Sequence, residues 1–168
     1  MFFKDFIIDN DIFTNIYHKF SDDDTDLFVY TDGSCLGNPG TGGWAFLILR
    51  EIGDINHFGY QQNTTNNQME LTAAINALEF IKENDEVTLF TDSSYVKNGI
   101  TSWIVNWKKN NWKNSQKKEV KNKDLWIKLD FLNSNRNIIW KWVKAHDVNE
   151  HNNRVDFLAR EAAEKLIK

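Results

Sequence analysis

The sequence predicts an α/β fold in which one mixed sheet of five strands is flanked by helices, in the order β-β-β-α-β-α-α-β-α. Three short β-type segments follow one another closely and are separated by turn residues, which indicates an antiparallel meander. After the meander, strands alternate with helices, which is typical of strands added in parallel to the same sheet. A chain of 168 residues suits one domain that buries its own core.

The meander and the first helix occupy the first half of this domain. LFVYTDGS is apolar and β-branched up to a glycine turn, and GNPGTGG has the composition of a loop. From Asn66 onward the apolar residues recur with a helical period. The predicted elements are strands at 27–34, 44–49 and 55–62, a loop at 37–43 and a helix at about 66–82.

The second half alternates short strands with helices. EVTLFTD and NIIWKWVKA are rich in β-branched and aromatic residues, whereas the segments around them have helical spacing. The predicted elements are a strand at 86–92, helices at about 94–109 and 124–132, a strand at 137–145 and a closing helix at 155–168.

The first 26 residues stand apart from this pattern. Four of their apolar residues recur at roughly helical spacing: Phe6, Phe13, Ile16 and Phe20. An acidic link, SDDDTD, follows them. We therefore divide the chain into an extension, 1–26, and a domain, 27–168. The extension either belongs to the domain, as a packed helix or a tail, or binds an unknown partner protein, and the sequence leaves both alternatives open.

Composition excludes several classes of protein. The single cysteine, Cys35, excludes a disulfide framework and indicates a reducing compartment. The longest apolar run is far shorter than the ~20 residues that cross a bilayer, and the N-terminus lacks the pattern of a secretory signal. We therefore expect a cytoplasmic monomer that makes no membrane contact.

The net charge of −4 argues at first against a nucleic-acid partner, but the charge is unevenly distributed along the chain. The extension carries a net charge of −5, and residues 27–102 carry −6. Residues 103–128 carry eight lysines and two acids, for a net charge of +6. Charge asymmetry of this kind indicates an interaction surface.

Four acids from four separate elements are candidates for one site. Asp32 and Asp92 each end a strand in a similar context, TDGS and TDSS, and Glu70 and Asp156 lie near the start of helices rich in small residues. Taken singly, such acids are more often turn formers or favour the helix dipole. Converging carboxylates would repel one another unless a cation lay between them, and all-oxygen ligation favours Mg²⁺ or Mn²⁺ over zinc.

Five stretches together give the domain, residues 27–168, a specific resemblance to a known family. They are TDGSCLGNPG, TTNNQMELTAAINALE, TDSSYVKNGITSWIVNWKKNNWK, KKEVKNKDLW and the closing WKWVKAH with VDFLA. In motif order, spacing and strand–helix order the domain resembles the bacterial type 1 ribonucleases H. The resemblance implies a ribonuclease H-like fold and hydrolysis of the RNA strand of an RNA–DNA hybrid.

The resemblance assigns the catalytic residues. Asp32, Glu70, Asp92 and Asp156 would hold two Mg²⁺ ions, with Mn²⁺ as a substitute, in a two-metal endonuclease. The products would carry 5′-phosphate and 3′-hydroxyl ends. His146 matches the family's histidine, which is proposed to move protons or to help release product.

The resemblance also assigns contacts to the hybrid. Asn38, Asn66 and Asn67 match residues that contact the minor groove, where amides can donate to and accept from 2′-hydroxyls. Helix capping is an additional role for Asn66. Thr65 and Asn122 match a phosphate-binding pocket for the DNA strand.

The basic segment at about 103–128 matches the family's handle. Its interleaved lysines and tryptophans suit a surface that follows a nucleic-acid backbone better than a merely solvated helix. The candidate contacts are Trp103, Trp107, Lys108, Lys109, Lys113, Lys117, Lys118 and Lys121. In contrast, we expect Trp126, Trp140 and Trp142 to lie in the core.

Five positions depart from the usual family pattern. Asn63 and Gln68 stand where arginine is common, which predicts weaker affinity for the hybrid. Ser94 replaces a common glutamine, Val148 a glycine and Asn153 a glutamate. Because all four candidate metal ligands are retained, we expect an active enzyme. Because of the five departures, we expect it to be slower than its relatives.

Two other functions remain open from the sequence. One is a catalytically weak hybrid-binding module that recruits partners through residues 1–26, and the other is a different nuclease of this fold, such as a transposase or resolvase. The intact acids and His146 favour an enzyme. The GNPG and TTNN loops and the handle favour a ribonuclease H.

Overall fold

The five strands form one mixed sheet in a computed structural model that describes residues 27–83 and 85–165. The strands are β1 Leu27–Leu36, β2 Gly40–Leu49, β3 Ile55–Thr64, β4 Glu86–Thr91 and β5 Asn137–Trp142, in the sheet order β3-β2-β1-β4-β5. β1, β2 and β3 pair antiparallel, whereas β4 pairs parallel with β1 and with β5. The predicted mixed sheet is confirmed. The extension, and with it both interpretations of its role, lies outside the described residues.

Helices occupy the predicted places between and after the strands. They are α1 Asn66–Phe80, α2 Ser94–Asn98, α3 Ile104–Lys109, α4 Lys123–Ser134 and α5 Glu150–Glu164. The segment predicted as one helix at 94–109 contains a π-helical turn, Gly99–Trp103, between α2 and α3. A Cβ atom at Gly99 would collide with the indole of Trp126, so glycine allows this turn to lie against the core.

The glycine-rich stretch predicted as a loop at 37–43 is partly a strand, because β2 begins at Gly40. A Cβ atom at Gly42 would collide with Thr64 and Met69, and one at Gly43 would collide with the backbone of α5 at Ala159. Gly42 and Gly43 therefore serve close packing against β2 rather than the turn geometry expected of a loop. The composition alone does not distinguish the two uses.

The last helix begins five residues earlier than predicted. The Asn149 side chain caps it by accepting hydrogen bonds from the backbone N–H groups of His151 and Asn152, at 3.1 and 3.0 Å. Asp156 therefore lies in the second turn of α5, and the prediction that it opens the helix is wrong. The prediction for β5 was also too long, since the strand ends at Trp142.

Apolar side chains cover both faces of the central strands. On one face, Val29 and Phe46 pack with α1 and α4; on the other, Tyr30 and Ala45 pack with α5. Burial on both faces explains why β1 and β2 show nearly continuous apolar runs. No helix in the described part of the chain is long and apolar enough to cross a membrane.

Two of the three tryptophans predicted in the core are buried. Trp126 is fully buried and Trp140 is 9% exposed, but Trp142 is 51% exposed, so its prediction is wrong. Trp142 is the last residue of β5, which is an edge strand, and its indole N–H donates to the main-chain oxygen of Asp92. A hydrogen bond at the sheet edge, rather than burial, fixes this side chain.

Candidate active site

Three of the four predicted acids meet at one edge of the sheet. β1 and β4 are parallel neighbours with Thr31 opposite Thr91, which places the next residues, Asp32 and Asp92, side by side. Asp92 follows the last residue of β4, but β1 continues to Leu36 and Asp32 still pairs with β2, so the prediction that Asp32 ends its strand is wrong. Glu70 joins them from α1, and one carboxylate oxygen of each acid lies within 4.8 Å of the others. The sequence-based expectation that these acids converge agrees with this geometry.

A glycine allows Glu70 to reach the sheet edge. A Cβ atom at Gly33 would collide with the backbone of Met69 and Glu70, so α1 lies directly on β1. The helix begins at this place because the Thr65 hydroxyl caps it, accepting a hydrogen bond from the Gln68 backbone N–H at 3.2 Å. The TDGS motif therefore supplies both an acid and the space for a second acid.

Asp156 lies beside this group of three acids. Burial and the Glu70 and Asp92 carboxylates raise the pKa of Asp32, and the nearby Asp156 carboxyl adds the smallest contribution. The Asp156 Oδ2 also forms an ion pair with the Arg160 guanidinium, at 3.2 Å, one turn along α5. The side chain is only 15% exposed, so the fourth acid is partly buried beside the other three.

The electrostatics of the site favour a bound cation. Burial, and then the neighbouring charges of Glu70 and Asp92, hold the pKa of Asp32 well above its usual range. Burial and the Asp92 charge likewise raise the pKa of Glu70. The Glu70 Oε2 atom is buried and accepts no hydrogen bond from any described residue. An all-carboxylate cluster with an orphaned oxygen fits a hard divalent ion.

Two side chains hold Asp92 in place. The Trp142 Nε1 donates to its main-chain oxygen at 3.0 Å, and the Asn152 Nδ2 lies 3.4 Å from its Oδ2. Asn152 is 1% exposed, and sequence reasoning missed its role. The available signal was Asn149, since recognising it as the N-cap would have placed Asn152 one turn before Asp156 on the same helix.

His146 lies on an exposed loop next to the acids. Its Nδ1 is 3.8 Å from the Asp156 Oδ2, and its side chain is 75% exposed. The residue adopts a left-handed backbone conformation, with φ of 54°. Val148, two residues on, is 94% exposed, so little packing restrains this part of the loop. The position next to Asp156 suits a group that exchanges protons with solvent.

The GNPG and TTNN loops contact each other. The Asn38 Oδ1 accepts a 3.2 Å hydrogen bond from the backbone N–H of Asn66, and the side chains of Asn38, Asn66 and Asn67 are exposed. Thr65, not Asn66, is the N-cap of α1, so the capping role considered for Asn66 is wrong. The three asparagines thus lie near the start of α1, the helix that carries Glu70.

The structure brings the two residues of the predicted phosphate pocket to the same place. The Asn122 Oδ1 accepts a hydrogen bond from the Gln68 Nε2 at 3.1 Å, and the Gln68 backbone is bonded to the Thr65 hydroxyl. Asn122 precedes α4 in a left-handed conformation, with φ of 60°. Residues 54 positions apart in the chain are joined here.

The handle exposes its lysines more than its aromatic residues. The six candidate lysines are exposed: Lys108, Lys109, Lys113, Lys117, Lys118 and Lys121. Lys108 pairs with Asp130 at 3.1 Å. Trp107 is partly buried, with its ring centroid 5.2 Å from that of Trp126, whereas Trp103 is 39% exposed. The basic surface is therefore accessible, and Trp107 belongs largely to the packing beneath it.

Comparison with known sequences decides the family. The RNase H family profile matches residues 24–164. The chain belongs to the ribonuclease H family. A ribonuclease H of Wolbachia pipientis wMel is 53% identical over 137 residues, which cover 82% of this chain and 94% of that protein. A ribonuclease H of Francisella tularensis subsp. novicida is 48% identical over 141 residues, which cover 84% and 93%.

Solved structures agree with this assignment. LC9-RNase H1, a type 1 RNase H, is 28% identical, with a TM-score of 0.74 over 83% of this chain and 72% of that chain. LC11-RNase H1, solved in complex with an RNA/DNA hybrid, is 27% identical, with a TM-score of 0.60 over 84% and 99%. The chain is therefore a type 1 ribonuclease H in sequence and fold, and an RNA-hydrolysing enzyme. The family depends on divalent metal, and Asp32, Glu70 and Asp92 form a group of carboxylates that could hold such an ion.

Proposed function

We propose that this chain hydrolyses the RNA strand of RNA–DNA hybrids as an endonuclease, by a two-metal mechanism that leaves 5′-phosphate and 3′-hydroxyl ends. The observation that carries the proposal is the cluster of Asp32, Glu70 and Asp92 within 4.8 Å on a ribonuclease H scaffold. The hybrid bound to LC11-RNase H1 supports the choice of substrate.

The metal ligands would be Asp32, Glu70, Asp92 and Asp156, with Mg²⁺ as the ion and Mn²⁺ as a substitute. Asp32 and Glu70 are buried and repel each other, so ion binding would relieve an existing electrostatic cost. When bound, two such ions would activate a water and stabilise the leaving oxygen of an in-line displacement.

The other residues of the site would hold the acids and move protons. Trp142 and Asn152 fix the backbone and carboxylate of Asp92, which keeps the ligand set preorganised. His146 is exposed and its Nδ1 lies 3.8 Å from the Asp156 Oδ2, so it would be placed to pass a proton between the reacting phosphate and solvent. The Asn153 Nδ2 holds this loop at the Asp147 main-chain oxygen, at 2.8 Å, but Val148 packs against little, so release of that one bond would let the loop move as product leaves.

Substrate recognition would use three surfaces around the acids. Asn38, Asn66 and Asn67 would contact 2′-hydroxyls and bases in the minor groove, which identifies the RNA strand. Thr65 and Asn122 would hold a phosphate of the DNA strand. The handle lysines, with Trp103 and Trp107 beside or beneath them, would follow the backbone through electrostatic attraction.

One assay tests this function. Labelled RNA–DNA hybrid, duplex DNA and duplex RNA are incubated with Mg²⁺, Mn²⁺ or EDTA, and the cut ends are mapped. Metal-dependent cutting of the hybrid's RNA strand alone, with 3′-hydroxyl products, is the expected result. Cutting of duplex DNA would favour a nuclease of another class, and tight hybrid binding without cutting by any metal would favour a binding module.

We further propose that residues 1–26 are accessory to a catalytic domain spanning 27–168, which acts as a monomer in the cytoplasm. The family match begins at residue 24, which supports this boundary. A chain lacking residues 1–26 should cut the hybrid at close to the full rate. A large loss of activity, with folding intact by circular dichroism, would assign the extension a part in catalysis.

A further inference from the structure

A chain of side-chain hydrogen bonds crosses from the start of α1 to the end of the handle. The Thr64 hydroxyl donates to the Gln68 Oε1 at 3.0 Å, and the Gln68 Nε2 donates to the Asn122 Oδ1 at 3.1 Å. The Asn122 Nδ2 then donates to the Tyr95 hydroxyl at 3.2 Å. These four residues come from three separate segments of the chain, so the network joins the TTNN loop with the first turn of α1, the handle and α2.

The network fixes the orientation of the Asn122 amide. Its oxygen is occupied by Gln68, and one of its two N–H groups is occupied by Tyr95. Tyr95 is held in turn by a second donor, the Trp126 Nε1, at 3.0 Å. The second N–H of Asn122 takes part in neither bond, and its direction is set by the bonds to Gln68 and Tyr95 that hold the amide.

Gln68 and Asn122 both line a cavity of about 390 Å³. The cavity wall also includes Lys123, whose Nζ lies 3.4 Å from the Glu119 Oε1, and the acid Asp124. Lys123 is paired with Glu119, and Asp124 adds a second negative charge to the cavity wall. The net charge of the wall therefore does not attract an anion. Neutral N–H donors, correctly aimed, are the groups that can hold a phosphate oxygen here.

We propose that Gln68 is a positioning residue: it aims the Asn122 amide at a phosphate of the DNA strand and so sets the affinity for the hybrid. This inference rests on the proposed function and refines it. An arginine, which is common in the family at this position, would bring a positive charge. Gln68 instead makes a neutral hydrogen bond that orients Asn122. Gln68 acts through Asn122 and need not touch the substrate.

The proposal predicts how a Gln68→Met variant behaves. Methionine has a similar length but cannot bond Asn122, so KM for the hybrid should rise about 3- to 10-fold, the effect of one net hydrogen bond, while kcat stays the same. The slope of log affinity against log salt should not change, because no charge is removed. Gln61→Met, the same substitution at an exposed position of β3, is the matched control.

A double-variant cycle separates positioning from direct contact. In an Asn122→Ala background, Gln68→Met should have no further effect on KM. An equal, additive rise in both backgrounds would show that Gln68 binds the substrate itself and would overturn the proposal. A fall in kcat and in Tm with KM unchanged would show a purely structural role and would also overturn it.

A scan of the DNA strand locates the contact. Single neutral methylphosphonate linkages are placed along the DNA strand, and cleavage of the RNA strand is measured for each hybrid. The unaltered chain should be sensitive at several linkages, because the handle lysines also face phosphates, and Gln68→Met and Asn122→Ala should both lose the sensitivity at one and the same linkage. If the chain cuts hybrids but no linkage matters, this proposal fails while the proposed function stands. If unmodified hybrid is not cut at all, the proposed function fails.

Discussion

The Trp142 indole donates a 3.0 Å hydrogen bond to the main-chain oxygen of Asp92. This bond ties the end of β5 to the end of β4 at the point where the chain leaves the sheet. The main chain of Asp92 is thereby fixed from one side, while Asn152 approaches its carboxylate from the other. An exposed aromatic residue at the sheet edge thus supports a candidate metal ligand.

Removing that hydrogen bond should weaken metal binding without unfolding the domain. We expect Trp142→Phe to raise the Mg²⁺ concentration needed for half-maximal activity, within the roughly 10- to 100-fold range known for groups that orient metal ligands. Mg²⁺ titration of hybrid cleavage measures the effect. Ile139→Phe, an exposed β5 position on the same strand, is the control. An unchanged Mg²⁺ requirement in Trp142→Phe would refute the positioning role.

Neutralising Asp32 should separate activity from stability. Asp32→Asn removes a candidate ligand, so hybrid cleavage should fall by more than about 10²-fold, the effect of losing one strong electrostatic contact. Because burial and neighbouring charges raise the pKa of Asp32, its charged form destabilises the metal-free native state, and the variant should melt higher in EDTA at pH 7.5. A gain of 1 kcal/mol corresponds to about 2–4 °C.

Mg²⁺ provides the control for that result. It should raise the Tm of the unaltered chain, since a ligand that binds only the native state stabilises it, and should raise the Tm of Asp32→Asn much less. Equal Mg²⁺-induced shifts in both proteins would contradict the assignment of Asp32 as a ligand.

The handle should contribute a salt-dependent part of hybrid affinity. Replacing Lys113, Lys117 and Lys118 with glutamine should make the slope of log affinity against log salt shallower by about 2, because each phosphate contact contributes roughly 0.7–0.9. Binding by an inactive Asp32→Asn chain at several salt concentrations measures this. Lys128→Gln, a lysine paired with Glu79 at 2.8 Å, should leave the slope unchanged. A triple variant with the original slope would place the hybrid elsewhere.

His57 should make the fold sensitive to mild acid. It is partly buried between Phe46 and Phe80, with ring centroids at 5.3 and 4.9 Å, and burial lowers its pKa from 6.5. The native state therefore resists protonation of His57. The stability that neutral His57 contributes is complete above pH 6.5, the pKa in the unfolded chain, and is lost as the pH falls from 6.5 toward the lower pKa in the folded chain.

Urea unfolding at pH 7.5 and 5.5 tests the effect of His57. The loss of unfolding free energy between the two pH values should be smaller for His57→Phe than for the unaltered chain. His151→Phe, on the other side of the sheet, should show the original loss if His57 is the source. Identical losses in His57→Phe and the unaltered chain would contradict the prediction.

Most of the fold was accessible from the sequence because its elements follow local rules. The periods of the apolar residues gave the order of strands and helices, and Gly-rich and Asn-rich segments marked the turns. The wrong element boundaries lay in segments whose composition is compatible both with a loop and with the start of a strand or helix. Gly40–Gly43 has the composition of a loop but begins β2, and the polar run before Asp156 is the capped start of α5.

The candidate site divides in the same way. By itself, the sequence determined which acids are available, since Asp32 and Asp92 stand in similar motifs, Glu70 and Asp156 lie near the start of helices rich in small residues, and all four match the metal ligands of the family. Only the tertiary structure decided how Asp92 is held, since Trp142 lies 50 positions from it and Asn152 lies 60 positions from it. The same is true of the predicted phosphate pocket, where Gln68 bonds Asn122 across 54 positions. Local periodicity reports which face of an element is buried, whereas a hydrogen bond between distant side chains exists only once sheet register and helix packing have brought them together.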